Sequence, residues 1–200
     1  MECQALLRRG IQPGMRVLDV GCGDGTLIRE LRDAGIHTIG LEIDPALVHL
    51  AVARGLDVRE GRAEALPFSD ATFDAVVCSV VVPYTDQRMA VSEWARVLRP
   101  AGIVNATYHG PGYGVHYLLA PPEGWRSRFY GARMLVNTAV YTVTGRRMSG
   151  FVGDTLCQTD GAMRRCSHAS GLRVEISQVL DRALGVPRII FHGLRKGAAP

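Results

Sequence analysis

The sequence predicts an α/β fold, a doubly wound and mostly parallel sheet with helices on both faces. Up to about residue 109, short apolar runs alternate with helical patterns about ten residues long, which is the signature of βαβ units. The first of these runs empties into a glycine-rich turn followed at once by a helical pattern. In open α/β sheets that junction lies where ligands gather.

The elements follow in order. Residues 16–20 read as a buried strand, 26–34 as a helix, 37–41 as a strand and 45–54 as a helix opened by Asp44-Pro45. Asp is a favoured N-cap and Pro a favoured first-turn residue, so Asp44 is read as a cap. A short strand over 58–60, a strand over 73–78, a helix over 88–98 and a strand over 102–108 complete the regular part. Residues 110–154 break the rhythm, holding seven of the 13 aromatic residues, with Gly110-Pro111-Gly112 at the entry and Pro121-Pro122 inside. This stretch is read as a cap inserted after the fifth strand. A helix over 160–169 ends at Gly171, as a helix C-terminus should. Two runs over 173–180 and 188–194, joined by a short connection, form an antiparallel pair at the sheet edge.

With 200 residues and 47% hydrophobic side chains the chain makes one domain, 1–200, and excludes collagen-like, coiled-coil and disordered classes. The longest apolar run, 75–83, is far short of the roughly 20 residues of a membrane helix. The start Met-Glu-Cys-Gln carries an acid where a secretory signal carries basic residues, so a cytoplasmic location is expected. Five cysteines without a Cys-x-x-Cys pair read as free thiols, with neither a disulfide framework nor a metal site. Residues 1–100 hold 11 arginines against 14 acids, whereas residues 101–200 hold 12 basic residues against 5 acids.

The functional signal begins at Val17-Leu18-Asp19-Val20-Gly21-Cys22-Gly23-Asp24-Gly25. A dinucleotide site spaces its glycines G-x-G-x-x-G and sets a pyrophosphate on the helix N-terminus; here the spacing is G-x-G-x-G. Asp19, two residues before the first glycine, would repel a pyrophosphate and suit an ammonium group. Glu42 stands about 20 residues beyond the loop at the second strand's end, the usual offset for an acid that accepts from a ribose diol. An adenosine joined to a cationic amino acid fits both acids, which describes S-adenosyl-L-methionine.

From Val17 to Gly102 the chain resembles the class I S-adenosylmethionine-dependent methyltransferases, especially the small-molecule branch that includes quinone-biosynthesis enzymes. The matching stretches are the glycine loop, Leu41-Glu42-Ile43-Asp44, Gly61-Arg62-Ala63-Glu64-Ala65-Leu66-Pro67-Phe68, Phe73-Asp74-Ala75-Val76 and Arg96-Val97-Leu98-Arg99-Pro100-Ala101-Gly102. The resemblance implies a Rossmann-like sheet of seven strands, one antiparallel, with S-adenosyl-L-methionine over the carboxyl ends of the first strands and S-adenosyl-L-homocysteine as product. It implies Asp19, Gly21 and Gly23 near the methionine moiety, Glu42 on the ribose, Ile43 on the adenine face and Ala63 at the adenine edge. The family often has an acid where this chain has Arg62, with Glu64 as the substitute; Ser79 joins the cofactor set. Val82-Pro83-Tyr84-Thr85-Asp86 stands where the branch often places histidines.

Methyl transfer needs proximity, orientation and a dry site more than a base. His109, at the end of the fifth strand, is the first candidate base, His116 the second, and Tyr84 a candidate to face the sulfonium or the acceptor. Tyr108, Tyr113, Arg126 and Tyr130 are the candidate acceptor contacts, Arg126 belonging to an aromatic and arginine-bearing run read either as a lid for an acidic substrate or as a helix with solvated cations. The expectation is O-methylation of a small or medium-sized metabolite with an apolar body and an acidic group, by a monomer or homodimer and without a nucleic-acid partner. The rivals are an RNA methyltransferase and a module that binds the cofactor without transferring a methyl group.

Overall fold

The computed structural model describes residues 2–120, 124–145 and 155–198. Fifteen elements follow in order: α1 (Glu2–Leu7), β1 (Arg16–Val20), α2 (Thr26–Asp33), β2 (His37–Glu42), α3 (Pro45–Ala53), β3 (Val58–Glu60), β4 (Phe73–Ser79), a 3-10 turn (Val82–Tyr84), α4 (Gln87–Val97), β5 (Leu98–His109), α5 (Pro111–Leu119), α6 (Trp125–Thr144), α7 (Asp160–Ala169), β6 (Leu172–Ala183) and β7 (Val186–Lys196). The seven strands form one sheet in the order β3-β2-β1-β4-β5-β7-β6. Strands β1 to β5 pair in parallel, while β7 pairs antiparallel with both β5 and β6. The expected pair does occupy the edge, and the strand running against the other six is β7, one place in from it.

Strand alternation explains how both faces are covered. Val17 on β1 packs with Leu31, Ile36, Ala75 and Val77 under α1 and α2. Its neighbours Leu18 and Val20 pack on the other face with Trp94, Val91 and Met163 from α4 and α7. Phe73, Trp94 and Tyr108 are fully buried and are the largest side chains of that second core. Helix α1 was not foreseen in the sequence; the buried Asn105 on β5 fastens it, its side-chain amide donating to the carbonyls of Leu7 at 3.0 Å and Arg9 at 2.8 Å. Among the described residues no helix is long and apolar enough to cross a membrane.

The stretch 110–154, expected to be a cap, contains α5 and α6; its residues 121–123 and 146–154 lie outside the described residues. Strands β6 and β7 run longer than the apolar pattern suggested and close in a tight turn at Leu184 and Gly185, both with positive φ. The end of this hairpin packs against the start of α5, and so sets where the chain goes as it leaves the fifth strand. Gly112 on α5 shows the closeness: a Cβ there would lie 2.4 Å from the Val186 carbonyl oxygen and 2.7 Å from that of Pro187. Gly→Ala in a helix ordinarily stabilises by about 0.5–1 kcal/mol. Gly112→Ala reverses that sign, and a urea melt should show a loss of about 1–3 kcal/mol through overpacking.

Candidate functional site

The glycine loop is built by its backbone. The N–H groups of Gly21 and Cys22 donate to the Leu41 carbonyl at 2.8 and 3.1 Å, folding the loop across the end of β2. Gly21 has φ +73, and a Cβ on it would come within 2.0 Å of a Val81 methyl carbon, so only glycine fits between β1 and the segment after β4. Glu42, 8% exposed, ties the two strand ends together. Its Oε2 accepts from Gly23 N–H at 2.8 Å, and its Oε1 from Ile43 N–H at 2.8 Å and Asp44 N–H at 3.1 Å. A carboxylate offers about four acceptor positions. Three are taken by backbone, which leaves one facing outward and makes the Gly23 contact the one a diol could share or displace. Asp44 caps α3 as foreseen, its carboxylate accepting from Ala46 N–H at 2.9 Å.

Above these strand ends lies a crevice of about 280 Å³ whose walls include Gly21, Glu42, Ile43, Ala63, Glu64, Val81 and Tyr84. Asp19 stands on β1 behind this lining, one residue before Val20 and two before Gly21, which do line the crevice; it is 2% exposed, with no hydrogen bond to its carboxyl group among the described residues. Desolvation, and secondarily the charge of Glu42, pushes its pKa up to about 7. The adjacent Cys22 thiol is pushed up to about 12, first by burial and then by Asp19, which leaves it unreactive. An acid buried without a donor favours a cationic ligand group, since a nearby positive charge restores the ionised form. At the other side Ile43, just past the end of β2, is 57% exposed although Leu41 and Glu42 before it are buried. With Ala63 and Val81 it offers an apolar cleft to a flat ring. Cationic, hydroxylic and planar apolar demands are met in one crevice, so the residues fit S-adenosylmethionine.

Arg62 turns outward, its side chain 65% exposed and 3.7 Å from Glu64, while Glu64 accepts the Asp86 N–H at 3.0 Å. Glu64 thus reaches the crevice wall but is already engaged. Ser79 ends β4 with its hydroxyl 3.5 Å from that of Thr107 and is not among the residues lining the crevice.

Next to the crevice the structure assembles an aromatic wall. The His109 ring stacks on Tyr113, centroids 3.6 Å apart and planes 8° apart; Tyr113 leads to Tyr117 at 5.0 Å and Tyr117 to Tyr130 at 5.3 Å. Tyr130 donates to the Thr155 hydroxyl at 3.0 Å. Burial and then the Tyr130 and Tyr117 hydroxyls push the Tyr84 phenol up, so Tyr84 joins this wall to the crevice it lines. His109 is 7% exposed, and its Nδ1 is buried with no hydrogen-bond partner. Burial, aided by Arg188, lowers its pKa to about 4. Tyr117, Thr155 and Val80 were missed in the sequence. The i, i+4 spacing of Tyr113 and Tyr117 on α5 was the available signal for the first; the positive φ of Val80, 58°, has none.

Three candidate residues land elsewhere. Tyr108 is wholly buried, its hydroxyl 2.9 Å from His192 Nε2, because strand alternation points it into the core while His109 points to the other face. Arg126 lies over the ring of Trp125, itself 73% exposed, and is not among the residues lining the crevice. The buried stripe of α6 is Ser127, Gly131, Met134, Asn137 and Tyr141, so the solvated-cation reading describes Arg126 and Arg128. His116 meets only the edge of Tyr117, 6.1 Å away, apart from the stacked His109 and Tyr113.

Comparison with known proteins bears on the fold and the cofactor. Residues 18–106 match the family model described as a methyltransferase domain. The chain is 36% identical over 109 residues to the demethylmenaquinone methyltransferase of Renibacterium salmoninarum, covering 52% of this chain and 46% of that protein. It is 41% identical over 93 residues to a probable S-adenosylmethionine-dependent methyltransferase of Mycolicibacterium smegmatis, covering 45% of this chain and 36% of that protein. The match spans less than half the length of either relative. In structure, the putative methyltransferase of Haloferax volcanii, solved in complex with the Trm112 methyltransferase activator, superposes with a TM-score of 0.73 at 21% identity, covering 98% of this chain and 89% of that one.

The raised Asp19 pKa has a stability consequence whose sign is fixed. The folded state holds the proton more tightly than the unfolded chain, so this contribution is fully present below about pH 4 and is lost as pH rises through about 7. Without ligand, the stability of the wild type relative to Asp19→Asn should fall by about 2 kcal/mol between pH 5.5 and 8. Paired urea melts at the two pH values measure it, and a difference independent of pH contradicts the assignment.

Proposed function

We propose that this chain, whose residues 18–106 form a methyltransferase domain of the S-adenosylmethionine-dependent kind, transfers a methyl group to a hydroxyl of a small or medium-sized metabolite. The observation that carries the reading is the buried, donor-free Asp19 on β1 just behind Val20 and Gly21, in a crevice wall that Glu42 organises. Asp19 and the loop backbone at Gly21 and Gly23 would hold the amino-acid end of the cofactor, Glu42 the ribose, and Ile43 with Ala63 the adenine. Bound there, S-adenosylmethionine supplies a methyl carbon activated by its sulfonium.

The chain's own part is to place the acceptor and keep water away. The aromatic wall of Tyr84, Tyr113, Tyr117 and Tyr130 supports an acceptor with an apolar or planar body. The acidic group expected of the acceptor loses its main support, because Arg126 is solvated. His109 is neutral at pH 7, and its free Nδ1 is a proton acceptor at the end of β5. A base held near pKa 4 suits a hydroxyl that is itself acidic, since proton transfer from an ordinary alcohol to it would be steeply uphill. Tyr84 would line the path between cofactor and acceptor, and the protein would act in the cytoplasm as a monomer or homodimer.

Calorimetry with S-adenosylhomocysteine should give a dissociation constant at least tenfold weaker for Glu42→Ala and for Asp19→Ala than for the wild type. Incubation of cell extract with labelled cofactor should yield a labelled small molecule. Binding without any labelled product would favour the cofactor-binding module, and label in RNA would favour the nucleic-acid reading. With the acceptor in hand, His109→Ala should lower kcat while leaving the affinity for S-adenosylhomocysteine within about twofold. His109 itself should add no limb to the rate profile between pH 6 and 8, its pKa lying near 4.

A further inference from the structure

A second cavity, about 460 Å³, opens where α4, α6 and α7 meet, separate from the cofactor crevice. Gln87 and Arg88 border it from α4, Tyr141 from α6, and Arg165 and Cys166 from α7, with Cys157 between the helices. Junctions between packed helices are common places for small-molecule sites.

Two exposed arginines, Arg88 and Arg165, border this opening. Most acids of the described residues hold an arginine: Asp24 holds Arg54, Asp74 holds Arg99, Asp160 holds Arg164 and Asp181 holds Arg188. Arg88 and Arg165 have no ion-pair partner among the described residues, although both border the same opening. Cys166 borders the same opening, and Arg88, Gln87 and Arg165 each favour its ionised thiol against burial. Gln87 is 6% exposed, and its amide nitrogen reaches only the Cys166 sulfur, at 3.6 Å, a weak acceptor for a strong donor. A buried amide so poorly satisfied at the wall of a cavity has room for a better acceptor.

Two features oppose an anion. Asp86, beside Arg88, carries a negative charge, but its carboxylate is committed to capping α4, accepting from Arg88 N–H at 2.9 Å and Met89 N–H at 3.2 Å. The C-terminal end of α7, at Ala169 and Ser170, presents the negative pole of that helix to the other end of the opening. An anion is therefore favoured at the α4 end, with the ring of Tyr141 and the methyl group of Ala162 available to an apolar body.

We propose that this cavity is a second binding site, for a small organic acid with an apolar body and a phosphate or carboxylate head held between Arg88 and Arg165 against the Gln87 amide. The site shares one chain segment with the crevice: Tyr84 and Thr85 line the crevice, and Gln87 and Arg88 follow directly. The assignment does not depend on methyl transfer.

Phenyl phosphate serves as the probe, with benzyl alcohol at equal ionic strength as the neutral comparator. Iodoacetamide labelling of Cys166, read by peptide mass, reports occupancy, and the partly exposed Cys3 is the internal reference. With the cofactor crevice saturated by S-adenosylhomocysteine, millimolar phenyl phosphate should slow Cys166 labelling at least threefold. Benzyl alcohol should do so much less, and the Cys3 rate should not change. The Arg88→Ala and Arg165→Ala double variant should abolish the protection; both side chains are exposed, so folding should be retained, and a thermal melt checks it. Absent protection, protection that survives in the double variant, or protection lost once S-adenosylhomocysteine is bound each overturns the proposal. S-adenosylhomocysteine binding measured on the same samples tests the cofactor reading separately.

Discussion

Two buried carboxyl groups at the ends of adjacent strands govern the functional half of this molecule. Glu42 gathers three backbone N–H groups, from Gly23, Ile43 and Asp44, and so fixes the glycine loop relative to β2 and α3. Its charge, added to the cost of desolvation, then makes ionisation of Asp19 unfavourable. While Asp19 is ionised its buried charge carries an electrostatic cost, which protonation or a cationic partner relieves. The strand that presents Asp19 is packed on both faces, Val17 on one side and Leu18 and Val20 on the other, so the acid cannot move out toward water. Binding and folding are in opposition at this one side chain, a common condition at functional sites.

The other half of the site depends on the far side of the sheet. Because β7 runs antiparallel beside β5, its long hairpin with β6 reaches the start of α5, and the Gly110 N–H donates to the Arg188 carbonyl at 2.9 Å. That contact directs α5 so that Tyr113 stacks on His109. The histidine is largely stripped of solvent, its buried Nδ1 has no hydrogen-bond partner, and burial keeps the ring neutral at physiological pH. The proposed cofactor contacts thus come from the ends of β1 and β2 and the proposed acceptor contacts from β5, α5 and α6, with Tyr84 lining the crevice and facing Tyr117 and Tyr130.

The cofactor side was legible in the sequence because its chemistry sits at strand ends in local motifs: Asp19, Gly21 and Gly23 fall within five residues, and Glu42 is placed by strand length alone. The acceptor side was less so. Tyr108 and His109 are neighbours in sequence, and a shift of one residue in strand register decides which of them faces the core. Arg126 and Tyr130 are one helical turn apart on α6, yet only Tyr130 meets α5, because the helix-to-helix contact is set by Gly131 against Gly114, two glycines with no signature of their own. Helix α1 is too short to announce itself and is held by Asn105, nearly a hundred residues away. The second cavity draws on three helices and could not be read from any one of them.

The central claim is that the buried acid on β1, next to the glycine loop, meets the ammonium group of the cofactor. Calorimetry of S-adenosylhomocysteine binding at pH 6, repeated in buffers of different ionisation enthalpy, counts the protons exchanged on binding. The account predicts release approaching one proton per cofactor from the wild type, as Asp19 is forced to ionise, and none from Asp19→Asn. Binding without proton release, or equal release from the variant, would contradict it.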